Sequence, residues 1–556
     1  MAGGFKTNVR RIGQHGMPRA LPWLAQALGL CLVASLLPGV AVGQTTLTWG
    51  AGGVGGSGNW GTTGAWYTGT SNVGWTNSSN SNAVFAGTSG TVTMGSSRTA
   101  GDVRFDTPGY VVEFGAVTLT LSSFSGTALG STTFVGGTAA GSQLVRLSTA
   151  SDIAFNGTIA NNPLGGNTSF AKQGTGRLTL ASGFNQTATG GLTLNEGFVR
   201  LNVSTGLPTT WNFENIPTGR SAVLELNAGN LSGLLGTGGF VFNDAADLAG
   251  FAALGSDRTF TATNTADIQW GNSGNNQITV GQLILSSTTS TGKLTLASSG
   301  GRNLRLATNT AAANTYTRTI RADNGSAPID AEITMPILNG TSASAIGALT
   351  KTGSGVLALS AVNGYTGATS VSEGGLLVNG TTAAASAVTV SSGAFLGGTG
   401  FVGGAVTVNG AIAPGSNGIG TLTTGSGVTW NSGNSWLFSL GTPAASLAAA
   451  VAGTNNDYLN VGGAFNGSGG SYTFDFANSG SDGWYKLVGY STTNFSTGTS
   501  TQFSASNVPS GKTATFVVDS SSSAVYVQIV PEPATIILAG MGVVFAGLVA
   551  RQRRRV

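Results

Sequence analysis

From Thr45 onward the chain is built of short runs that alternate apolar with small polar residues, each closed by glycine or Asn-Gly. Val117-Thr118-Leu119-Thr120-Leu121, Leu178-Thr179-Leu180 and Ala405-Val406-Thr407-Val408 are typical. Period-two alternation rich in Thr and Val puts the apolar side chains on one face, so these runs predict half-buried β-strands. Between Thr45 and Val530 no convincing amphipathic helix is expected, with the short Ala-rich run Ala444 to Val451, ended by Gly453, as the one exception.

A longer period is laid over the strands. Lys172-Gln-Gly-Thr-Gly176-Arg-Leu178-Thr-Leu180 recurs as Lys351-Thr-Gly-Ser-Gly355-Val-Leu357-Ala-Leu359. Each copy has a matching second half: Thr189-Gly190 leads to Glu196-Gly197 and Asn202, as Thr366-Gly367 leads to Glu373-Gly374 and Asn379. A fainter copy of the first half is Gly292-Lys293-Leu294-Thr295-Leu296. Each unit reads as about one coil of a β-solenoid, which buries its apolar face only against neighbours above and below. A string of β-sandwiches has the same strand pattern and stays open as an alternative.

Charged residues make up 8% of the 556 positions, against about 25% in an ordinary soluble domain. With 40% hydrophobic residues the chain lacks the composition of a disordered one and is expected to fold. Its basic excess is terminal. Lys6, Arg10, Arg11 and Arg19 precede the first apolar run, and Arg551, Arg553, Arg554 and Arg555 close the chain. Between Gln44 and Val530 there remain 16 basic and 19 acidic residues, a formal net charge of −3, so nucleic acid is not an expected partner. The single histidine, His15, and the single cysteine, Cys31, both lie in the leading segment. Without them the rest of the chain has no imidazole base, thiol nucleophile, disulfide or Cys/His metal site, so no catalytic residue, metal or cofactor is expected.

Residues 1–43 have the form of a secretory signal: a basic start, an apolar stretch from Leu21 to Leu37, and small residues Ala41 and Gly43 placed for cleavage before Gln44. A retained transmembrane helix is the alternative, which the short apolar region disfavours. At the other end Pro531-Glu532-Pro533 precedes seventeen uncharged residues, Ala534 to Ala550, and then the arginines. A helix of that length spans about 25 Å, enough to cross a bilayer with the arginines on the cytoplasmic side.

This order of motif, helix and basic tail resembles the PEP-CTERM sorting signal; a plain C-terminal anchor is the simpler reading. The resemblance implies recognition and tail removal by an exosortase, a membrane transpeptidase-like protease, in a bacterium that makes exopolysaccharide. The units at 172–202 and 351–379 resemble the autotransporter-associated β-strand repeat of surface-protein passengers, and Gly397 to Leu422 resembles the closing stretch of such passengers. The chain lacks the terminal membrane β-barrel of autotransporters, so passage across an outer membrane needs another machine.

The expected fold is therefore all-β: an elongated right-handed parallel β-helix or solenoid passenger with β-rich caps, plus a C-terminal transmembrane helix. The expected division is a signal at 1–43, a Trp/Gly-rich N-terminal cap at 44–120, a solenoid at 121–429, a C-terminal cap or small β domain at 430–530, and the sorting signal at 531–556. Trp60 and Trp66, with Trp49 and Trp75, either cover the first coil, the favoured role, or contact sugar. Asp244, Asp247 and Asp257 with Arg258 have neither a catalytic nor a calcium-loop spacing. The expected function is an exported structural or adhesive surface or matrix protein, with the Sec machinery and exosortase as partners, a transient inner-membrane stage, and exopolysaccharide as a further partner. The alternative is a polysaccharide-degrading or polysaccharide-binding β-helix protein.

Overall fold

The computed structural model describes residues 44–532, apart from 121–122, 127–130, 141–143, 150–151, 160–168, 188–190, 272–275, 308–313, 343, 454–455 and 479. The expected signal segment and C-terminal helix lie outside these residues. Among them no helix is long and apolar enough to cross a membrane. Among the described residues the only helical pieces are short 3-10 turns at Ala51–Gly53 and Leu447–Ala449, the second inside the Ala-rich run and capped by the Ser446 side chain.

The chain is all-β and winds as a parallel solenoid. Through its body the described strand pairs are parallel, each strand bonded to its counterpart in the coil before and the coil after. Leu192, Trp211 and Phe240 form one file of paired positions, and Leu178, Val199, Leu224 and Phe251 are linked through a second sheet. Further on, Leu349, Thr369, Val388, Val406, Val428 and Phe465 continue the second sheet without a break. A third sheet begins at Leu231–Gly233 and runs to Ala411–Pro414.

In-register stacking places like side chains over one another. The rings of the register partners Phe213 and Phe242 stack at 4.6 Å. Leu178, Leu180, Leu357, Leu359, Leu376 and Val378 all point into one continuous core and are fully buried. In Val388-Thr389-Val390 the intervening threonine faces out and is exposed.

The phase of the repeat differs from the sequence expectation. Each repeat was expected to be about one coil, yet its two halves lie one on top of the other. Lys172 pairs with Leu194 and Leu178 with Val199; in the second copy Lys351 pairs with Val371 and Leu357 with Leu376. A repeat therefore supplies rungs to two successive coils. The reason is coil length: the rungs at Lys351, Val371, Val390 and Val408 are 20, 19 and 18 residues apart.

Antiparallel strand pairs occur only toward the two ends of the described chain. Thr45–Trp49 pairs with Trp66–Tyr67, which pairs with Asn72–Val73. The repeat signature fades before Trp430, but the coil does not, since Trp430 pairs with Gly467 and Tyr472 with Phe503 in parallel. Gly483–Gly489, Ala524–Pro531, Lys512–Asp519 and Gly498–Ser500 then form an antiparallel sheet joined to the last coil.

If stability resides in the inward files, Leu376→Ala should destabilise the purified protein by about 2–5 kcal/mol through the cavity it leaves. Thr389→Ala, on the outer face, should change stability by no more than about 0.5 kcal/mol. Urea unfolding midpoints followed by circular dichroism check both values.

Candidate functional site

The best-defined polar arrangement is the corner shared by the two halves of each repeat. Lys172 and Lys351 end inward-facing rungs and are fully buried. The Lys172 Nζ donates to the carbonyl oxygens of Gln173 (2.9 Å), Gly174 (2.6 Å) and, one coil on, Glu196 (3.3 Å). Lys351 repeats this with Thr352 (2.9 Å), Gly353 (2.7 Å) and Glu373 (3.1 Å). Three carbonyl acceptors match the three N–H donors of an ammonium.

The glycines of the motif make this possible. Gly174 and Gly353 each take φ +77°, turning the chain so that its carbonyls face the lysine. The turn of the next coil rests directly on that turn, and a Cβ on Gly197 or Gly374 would strike the carbonyls of Gly174 and Gly176, or of Gly353 and Gly355. Lys-x-Gly-x-Gly and Glu-Gly are thus the two layers of one device that locks a coil to its successor.

Burial pulls Lys172 down to about 7 and Lys351 to about 8, while Glu196 and Asp152, or Asp323, Asp330 and Glu373, pull them back up.

A second inter-coil cluster was not foreseen. Glu225 is fully buried and accepts hydrogen bonds from Arg177 (2.7 and 3.1 Å), Arg200 (2.9 Å) and the Thr289 hydroxyl (2.7 Å). Its partners come from three different strands or turns spread over more than a hundred residues, so no local spacing marks it. Arg200 and Glu225 are neighbours in register, a link visible only once the coils are stacked.

The acidic residues weighed for catalysis, and found to lack its spacing, accept backbone N–H groups where their side chains are described. Asp247 accepts the Ile216 N–H (3.2 Å) and Asp257 accepts the Lys293 N–H (2.9 Å). Arg258 donates to the carbonyls of Leu226 and Asn227. The Asp244 side chain lies outside the described ones. Among the described residues no group of three His, Cys, Asp or Glu side chains could hold a metal ion.

Open grooves lie among the described residues. One, of about 210 Å³, is lined by Val356, Leu377, Phe395, Leu437 and Asp457; another, of about 260 Å³, by Phe198, Val223, Leu248, Ile284, Arg220 and Arg321. Asp457 is raised by burial to about 6, against the N–H donors of Ser439 (2.7 Å) and Gly420 (2.9 Å).

Trp60 and Trp66 are fully buried, with ring centroids 5.0 Å apart, and Trp66 packs on Trp49 (5.1 Å) and Trp75 (4.6 Å). The Trp66 indole N–H donates to the Trp60 carbonyl at 2.9 Å. Their faces meet other rings and not solvent, so the alternative role of sugar contact at these two residues has no exposed ring face to act through.

At the C-terminal end, Pro531 closes the last strand opposite Lys512, and the Glu532 N–H donates to the Gly511 carbonyl at 2.8 Å. Pro533, Arg551, Arg553, Arg554 and Arg555 lie outside the described residues, as do Ala41 and Gly43; Gln44 is the first one described.

The depressed lysines carry a pH signature with a definite sign. Between about pH 8 and 10.5 the unfolded lysine holds a proton that the folded one has released, so stability should rise with pH in that window. Lys351→Met should flatten the rise and, by leaving three carbonyls without their donor, cost about 1–3 kcal/mol at neutral pH. Urea midpoints at pH 7, 8, 9 and 10 test both.

Residues 170–201 and 349–378, the segments that carry the two lysine corners, match the passenger-associated-transport repeat. Residues 530–555, beginning at the last rungs of the terminal strand, match the PEP-CTERM protein-sorting motif. No curated protein was found to match the chain. The chain is an exported, exosortase-processed surface protein that joins passenger-associated-transport repeats to a PEP-CTERM sorting signal.

Proposed function

We propose that this protein is a non-enzymatic structural or adhesive component of an exopolysaccharide-associated extracellular matrix. Its precursor leaves the cytoplasm through the Sec machinery on the signal at 1–43. It is then held in the inner membrane by the helix expected over Ala534 to Ala550 while exosortase acts at Pro531-Glu532-Pro533. The removal of His15 and Cys31 with the signal leaves a passenger that presents neutral, hydroxyl-rich strand faces outside the cell.

The observation that carries this reading is where the passenger's few charges go. Lys172, Lys351, Arg177, Arg200 and Glu225 are bound into steps between coils, where they hold the stack together. The Glu225 carboxylate, buried beneath two guanidinium groups and a hydroxyl, has no face open to a substrate proton.

Glu532→Ala in the producing bacterium should leave an uncleaved precursor in the membrane fraction, seen as a larger species on immunoblots. Deleting the gene should reduce surface attachment and polymer retention at least severalfold. Unchanged attachment and retention would remove the matrix role. Cleavage of an exopolysaccharide by the purified passenger would replace it with the degradative alternative.

A further inference from the structure

The sorting motif begins inside the terminal sheet. Ala524–Pro531 lies between Gly483–Gly489 on one side and Lys512–Asp519 on the other. On the Gly483 side pairing stops at Ile529. On the other side it continues through Val530, opposite Thr513, to Pro531, opposite Lys512. One residue further, the Glu532 N–H donates to the Gly511 carbonyl at 2.8 Å. The first two residues of the motif are therefore the last rungs of the passenger's own ladder.

The receiving turn is firmly built. Gly511 has φ +75°, a conformation costly for a residue with a side chain, and the Lys512 N–H closes the turn on the Pro509 carbonyl at 3.1 Å. The Lys512 ammonium is paired at 2.9 Å with Asp482, beside the start of the neighbouring strand. Pro531 brings no N–H of its own, so Glu532 supplies the final donor.

Recognition of an extended peptide takes up its backbone groups in the recognising cleft. The Glu532 N–H cannot bond Gly511 and a protease cleft at once. Space adds a second constraint. Only Pro533 separates Glu532 from the apolar run that starts at Ala534, so Cα atoms 532 and 534 are at most about 7 Å apart. A membrane-embedded enzyme thus meets a motif whose first two residues are still held by the folded sheet.

We propose that the terminal sheet gates its own processing: exosortase acts on molecules in which Pro531 and Glu532 have come away from Gly511 and Lys512, and the rate follows the fraying of those rungs. This rests on the reading that the motif is processed by exosortase. The sheet in this way couples release from the membrane to local opening at one defined turn.

The test is a pulse-chase of the full-length protein in the producing bacterium, following conversion of precursor to the cleaved form. Inserting Gly-Ser-Gly-Ser-Gly-Ser between Val530 and Pro531 frees the motif from the sheet. It should speed conversion roughly two- to ten-fold, the factor set by one net backbone hydrogen bond. Gly511→Val, which strains the receiving turn and leaves the motif intact, should shift the rate the same way. The same insert between Ser520 and Ser521, at the exposed far end of the hairpin, should leave it unchanged. Conversion that is unchanged or slower in both the Val530 insert and Gly511→Val overturns the gate. Normal conversion of Glu532→Ala, or no conversion in any version including the wild type, instead strikes at exosortase processing itself.

Discussion

Backbone hydrogen bonds between successive coils are the interaction on which this molecule depends. A chain with so few charges has little else to set register, and each coil alone exposes an apolar face it cannot cover. Parallel stacking pairs the backbone groups of every coil with those above and below, and it lines up like side chains in files. The Leu, Val and Phe files then become one continuous core. Antiparallel segments lie toward either end of the described chain. At its start the rings of Trp49, Trp60, Trp66 and Trp75 pack on one another and against Phe85.

The few charges follow the same logic. Arg305 meets Asp267 at 2.7 Å across successive coils, and Asp330 takes the Val356 N–H at 2.8 Å. Glu225 gathers two arginines and a threonine, and the two repeat lysines bridge one turn to the next. Most of these contacts run along the stack. An ion pair sheltered between coils is screened less than one on a surface, and losing one partner strands the other in a poor solvent. The charges thus reinforce the ladder between coils, at strand rungs such as Arg200 and Glu225 and at the turns that hold the repeat lysines.

Much of this architecture was legible beforehand. Alternation of period two specified strands, since a run such as Leu178-Thr179-Leu180 has one face to bury, and the recurrence of Lys-x-Gly-x-Gly-x-Leu-x-Leu specified stacking. The phase of the repeat was not legible. A matched unit shows which residues recur, whereas the coil is defined by which residues pair, and Lys351 pairs with Val371 inside its own repeat. The role of the lysine stayed hidden for a related reason, since two of its acceptors are in its own turn and the third belongs to a coil more than twenty residues away. Continuation of the coil past Trp430 left no repeat signature because parallel pairing constrains the inward faces and turns, and many side chains satisfy it.

Sequence by itself determined the address and the building plan. The terminal charges, the Pro-Glu-Pro motif before an apolar run, and the strand periodicity are local properties, set by partitioning into a membrane or by burial on one face of a strand. Tertiary structure alone decided which rungs meet. It placed Glu225 between arginines from two other coils, turned Trp60 and Trp66 inward, and set Pro531 and Glu532 against Gly511 and Lys512. These outcomes depend on register between segments distant in the chain, and register is fixed only when the whole stack forms.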